Sequence, residues 1–88
     1  MKTIHKYPLI LSGEAQTIAL PGESRLLTVA DQHGCPTLWF EVDTDGPVAL
    51  RVFVVVGTGH ELPREGNPNY VGTAFCGPFV WHVYEIDP

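Results

Sequence analysis

Apolar and polar positions alternate along much of this chain with the two-residue period of extended structure. Between Thr37 and Asp43, Leu38, Phe40 and Val42 fall on one face and Thr37, Trp39 and Glu41 on the other. That is the pattern of a strand with one side in a core and one in water. No long window carries apolar residues at helical spacing. The stretches rich in β-branched and aromatic residues predict strands over Thr3–Leu11, Gln16–Leu20, Arg25–Asp31, Thr37–Asp43, Val48–Val56, Tyr70–Cys76 and Phe79–Ile86. Turn signals separate them: Ser12-Gly13, Pro21-Gly22, His33-Gly34, Asp45-Gly46-Pro47 and Gly77-Pro78 each supply a positive or a fixed φ. The expected fold is all-β, an antiparallel meander of about seven short strands forming a small sandwich or a partly open barrel, in one domain over residues 1–88.

Two of these strands break the simple alternation. Leu50, Val52, Val54 and Val56 oppose Ala49, Arg51, Phe53 and Val55, and Val80, His82, Tyr84 and Ile86 oppose Phe79, Trp81, Val83 and Glu85. Both faces are largely apolar, so the second must be covered, either by another segment of a barrel or by a neighbouring subunit. A short chain has little left to wrap with, which favours a homo-oligomer, a tetramer or dimer. Residues Gly57–Asn69 (GTGHELPREGNPN) form the one long irregular stretch, the kind of connection that tends to carry function or mobility.

Composition narrows the function class. The 88 residues are 44% hydrophobic and 17% charged, a balance that suits a folded globule and not a disordered chain. Ten acidic against five basic residues give a net charge of -5, which opposes binding to polymeric DNA or RNA, while two or three donors in a pocket suffice for a small phosphorylated ligand. Cys35 and Cys76 are read as small buried residues of a cytoplasmic protein, not as a disulfide framework. His5, Lys6 and Pro8 interrupt the N-terminal apolar stretch, so no signal peptide is expected, and no apolar run is long enough to span a membrane. His5, His33, His60 and His82 show no ligand spacing, so neither a metal nor another cofactor is expected. No nucleophile sits in an activating context, and Asp43 and Asp45 read as turn formers beside Gly46. A binding protein is expected, not an enzyme.

One glycine-rich segment and a set of flat or cationic side chains could hold a ligand. Gly57–His60 (GTGH) leaves the most apolar strand, and its glycines let backbone N–H groups approach an anion, although a plain glycine turn explains the segment equally well. Trp39, Arg51, Tyr70, Trp81 and Tyr84 offer flat surfaces and a planar cation of the kind that stack on nucleobases and grip phosphates. Core or interface packing is the alternative role for the aromatics.

The segments MKTIHKYPL, PTLWFEVD, VVGTGHELP and GPFVWHVYE, taken together, resemble a widespread family of small bacteriophage and prophage proteins catalogued as a domain of unknown function. The chain is also similar to phage nucleotide sponges, which oligomerise and sequester cyclic nucleotide signals of CBASS and Thoeris defence systems. That resemblance implies an immune-evasion protein in the bacterial host cytosol that binds a cyclic nucleotide without cleaving it. The alternative is an interaction module that inhibits a host protein through an apolar sheet face. On the matching segments it implies Thr58, Gly59, His60, Trp81 and His82 as ligand-binding residues; Arg51 joins them on physical grounds as a phosphate donor.

Overall fold

The structure is a computed structural model that describes residues 1–87. Its regular elements are strands: β1 (Lys2–Pro8), β2 (Gln16–Pro21), β3 (Ser24–Gln32), β4 (Cys35–Asp43), β5 (Val48–Gly57), β6 (Asn67–Cys76) and β7 (Phe79–Asp87). All pairings are antiparallel, in a three-stranded sheet of order β1-β4-β3 and a four-stranded sheet of order β2-β5-β7-β6. The sheets stack as a small sandwich. Among the described residues there is no helix long and apolar enough to cross a membrane.

The strand order departs from a plain meander. Only β3–β4 and β6–β7 are hairpins between strands that are neighbours in both sequence and sheet. The first closes on His33 and Gly34, at φ 54° and 83°, the paired positive values of a type I′ turn. The second closes on Gly77, at φ 61°, followed by Pro78. Elsewhere the chain changes sheet, after β1, β2 and β4. Each sheet thereby covers the apolar face of the other.

The β4 row Leu38, Phe40 and Val42 meets Phe53 and Val55 of β5, Val83 of β7, Ala74 and Cys76 of β6, Leu20 and Val29 in one buried cluster. Aromatic edges link it internally, Tyr7 to Phe40 at 5.9 Å and Phe40 to Phe53 at 6.1 Å between ring centroids. Each such side chain fully removed from water contributes about 1.5–3 kcal/mol. Where β6 bulges between Tyr70 and Gly72, the sheets approach so closely that a methyl group on Gly72 would lie 2.7 Å from Val29 Cγ2.

β5 and β6 both run antiparallel to β7, so they are parallel to one another and residues 58–66 must return along its length. Gly57 lies opposite Trp81 and Asn67 opposite Asp87, a distance of about 20 Å at strand rise. At one end of this connection Thr58 is hydrogen-bonded to His82, and at the other Gly66 lies against Ile86. Both partners belong to the β7 row that faces away from the core. Paired with that row are Val54 and Val56, which are buried yet stand outside the core cluster. Part of the second apolar face is thus covered by the chain's own crossover. On the same face Leu50, Tyr70 and Phe75 are 71%, 58% and 73% exposed.

Candidate ligand-binding cleft

At the end of the sandwich where β5 stops, the inward row of β7 runs from the buried Val83 through Trp81, which packs on the edge of the core, to the exposed Phe79. The last two rings stack, with centroids 5.9 Å apart and planes 25° from parallel. Strand alternation places them two residues apart on one face. Gly57, opposite Trp81, gives the connection room to turn back over the same spot. A methyl group there would lie 2.8 Å from His60 Nδ1 and 3.2 Å from Trp81 Cζ3, so the missing side chain is the seat of the imidazole. The His60 N–H donates to the Gly57 carbonyl at 3.0 Å, and Gly59 takes a φ of 88°. The turn is therefore tight as well as close-packed.

These residues line an open cleft of about 450 Å³, formed by Gly57, Thr58, His60 and the Pro78–Trp81 segment. A second space of about 230 Å³ lies against the same Gly57, His60 and Trp81, closed by Leu11, Ser12, Gly13 and Val55. The Leu11–Gly13 loop is held by the Gln16 amide, which donates to the Ile10 carbonyl and accepts from the Ile10 N–H, both at 2.9 Å. Ser12 Oγ accepts from the Glu14 N–H at 3.2 Å.

Thr58 is fixed from outside the cleft. His82 Nε2 lies 2.8 Å from Thr58 Oγ1, its Nδ1 lies 3.0 Å from Thr73 Oγ1, and that hydroxyl is 2.6 Å from the Tyr70 hydroxyl. Both imidazole nitrogens are thus engaged by hydroxyls, which serve as donor or acceptor. Trp81 presents the opposite case. Its Nε1 is buried and has no hydrogen-bond partner among the described residues. A buried donor left in that condition costs about 1–3 kcal/mol.

Of the residues expected to bind a ligand, Thr58, His60 and Trp81 come together in the cleft wall. Gly59 shapes the turn without lining the cleft, and His82 sits on the opposite face of β7, where it positions Thr58. Arg51 is not brought to the others. It lies six residues along β5 from Gly57, about 20 Å away. There its Nε and Nη2 donate to both Glu85 oxygens at 2.7 and 2.8 Å, and its Nη1 donates to the Ser24 carbonyl at 3.1 Å. Its guanidinium carbon sits 5.1 Å from the Phe40 ring centre and 5.8 Å from that of Phe53. The hydrogen bonds to Glu85 hold the guanidinium pKa above its ordinary value. A cation so committed is a structural tie between β5 and β7.

Sequence reasoning missed Phe79 and the Leu11–Gly13 loop. Phe79 was legible as the residue two before Trp81. The loop was not, because only the tertiary fold brings it beside β5. Cys35 and Cys76 are both free. Burial, and secondarily a hydrogen bond with Asp31, pushes the Cys76 thiol up to about 11, which leaves it protonated and unreactive at neutral pH. Among the described residues no group of three or more His, Cys, Asp or Glu is disposed to hold a metal ion.

The chain matches, over residues 1–88, the family described as a domain of unknown function (DUF7352), and it belongs to that family. No curated protein and no solved structure matches it.

Proposed function

We propose that this DUF7352 member is a non-catalytic binding protein that holds a small cyclic nucleotide in the cleft beside Gly57 and Trp81. The observation that carries the reading is the stacked Phe79–Trp81 pair at the wall of a 450 Å³ cleft, a volume in the range of small-molecule sites, with hydroxyl and imidazole groups opposite. Stacking supplies about 1–3 kcal/mol per base and needs no sequence-specific partner. The family resemblance adds the biological setting: a phage-type immune-evasion protein of the bacterial cytosol that sequesters a defence signal, working as a homo-oligomer. The hydroxyl–imidazole pair at the cleft wall, Thr58 with His82, is backed by the neutral Thr73 hydroxyl and not by a carboxylate, which supports holding over turnover.

The test is a thermal-shift screen with cyclic mononucleotides and dinucleotides, followed by recovery of the ligand. A ligand at 100 times its dissociation constant adds about 2.7 kcal/mol to the folded state. Chromatography of the denatured complex should return intact ligand in stoichiometric amount. A product accumulating beyond one equivalent overturns the reading.

A second reading is supported by the exposed Tyr70 and Phe75 on the outer sheet face: an interaction module that covers this face with a host protein. A nucleotide that stabilises the chain favours the cleft, and no shift with any nucleotide favours the interaction module.

A further inference from the structure

Charge distinguishes the Trp81 end of the molecule from the rest of it. The chain carries ten acidic residues, and other surface clefts hold carboxylates: Glu23, Glu41 and Asp43 in a cleft of about 330 Å³, and Glu85 and Asp87 in one of about 340 Å³. The two clefts that share Gly57, His60 and Trp81 are lined by no carboxylate and by no lysine or arginine. Their polar side chains are Thr58, Ser12 and His60, the Trp81 Nε1 being buried behind the wall. A carboxylate in the wall would repel an anion at short range, where salt screens least. A site meant for several phosphates needs fixed cations, which these walls lack.

We infer that the two clefts flanking His60 form one site for a ligand that joins a flat ring to a single negative charge. The ring lies on Phe79 and Trp81, and the charge lies toward His60, with the Thr58 hydroxyl on one side of the imidazole and the Ser12 hydroxyl on the other. The hydroxyls hydrogen-bond a monoanion but carry no charge with which to neutralise a dianion. Within the proposed function, which this inference refines, the ligand is then one nucleotide unit bearing one phosphodiester. A terminal phosphate monoester, with its second charge, is disfavoured.

The experiment titrates the full chain by calorimetry with adenosine, 3′,5′-cyclic AMP, AMP and indole-3-acetate. It repeats the series with the Phe79→Ala and Ser12→Asp variants. Aspartate keeps the oxygen that accepts from the Glu14 N–H, so Ser12→Asp adds a charge to the wall and leaves the turn intact. Cyclic AMP should bind at least about tenfold more tightly than AMP. Ser12→Asp should weaken cyclic AMP by a similar factor and leave adenosine unchanged, and Phe79→Ala should weaken both. Indole-3-acetate binding with no cyclic nucleotide binding upholds the site and sinks the nucleotide reading. Cyclic nucleotide binding that ignores both variants, or an AMP affinity equal to that of cyclic AMP, overturns the inference and leaves the proposed function standing. No binding by any of the four overturns the inference, and the cyclic dinucleotides of the thermal-shift screen then decide the proposed function.

Discussion

At the scale of single residues, environment decides what a side chain can do, and Arg51 shows how little of that is written in its identity. Read from the chain it is a planar cation on an apolar strand, free to meet a phosphate. In the fold it is bidentate to Glu85, a partner 34 residues away, and no local pattern announces that pairing. Arg51→Ala should therefore act on stability: removing one partner of a buried ion pair costs about 3–5 kcal/mol, and the solvent reaching this one lowers the expectation to about 1.5–3 kcal/mol. Urea unfolding should show a lower midpoint at unchanged slope, with cleft binding retained in the folded fraction. Cys76 was legible as a buried small residue, and its chemistry follows from that burial. Because the fold raises its pKa from 9.0 to about 11, it favours the protonated thiol. Its contribution to stability is complete below the ordinary value and is lost as pH rises through the folded one. Near neutral pH an alkylating reagent should modify the half-buried Cys35 well before Cys76. Mass spectrometry of peptides over a time course checks this, and equal rates would refute it.

At the scale of elements, the strands were legible because a period of two is a local signal, and their ends were less so. β6 begins at Asn67, three residues before the alternation suggests, with Pro68 inside it. Proline is compatible with a strand only where its missing N–H is not needed, and β6 is the outer strand of its sheet. That edge position is a property of the topology, invisible along the chain. The same holds for two glycines whose importance is spatial. Gly72→Ala would drive a methyl group into Val29, a buried β-branched side chain that has little room to move. Overpacking of this sort costs about 1–3 kcal/mol. Val29→Ala should recover part of the loss, and the double-mutant cycle measured by denaturation gives the coupling. Gly57→Ala meets a movable ring instead, so it should displace His60, weaken ligand binding and change stability by less than about 1 kcal/mol. Calorimetry and denaturation on the same variant separate the two effects.

At the scale of the whole molecule, the two-faced strands correctly marked a second apolar surface, and the chain covers part of it with residues 58–66. The parallel relation of β5 and β6 requires that crossover, but no reading of one strand at a time reveals it. The uncovered remainder, Leu50, Tyr70 and Phe75, lies on one side of the four-stranded sheet, and a sandwich only 16 Å across its thinnest Cα dimension has no deeper core in which to hide it. Burying it between two copies is favourable by the usual area argument, about 25 cal/mol for each Å² of apolar surface removed from water, and this is the physical case for a homo-oligomer. Phe75 is the residue to test. It is exposed, so Phe75→Glu should shift stability by no more than about 0.5 kcal/mol, whereas a carboxylate at a closed apolar contact would be strongly opposed. Light scattering at micromolar concentration should find the wild type as a dimer or tetramer and Phe75→Glu as a folded monomer. The two surfaces are also adjacent: Phe75 pairs with Val80, and Val80 lines the Trp81 cleft. A second subunit seated on Phe75 would stand beside the mouth of that cleft, so the monomeric variant should bind ligand more weakly although every residue of its own cleft is intact. A wild type that is monomeric removes the association. A monomeric Phe75→Glu with undiminished affinity keeps the association and shows the cleft to be complete within one chain.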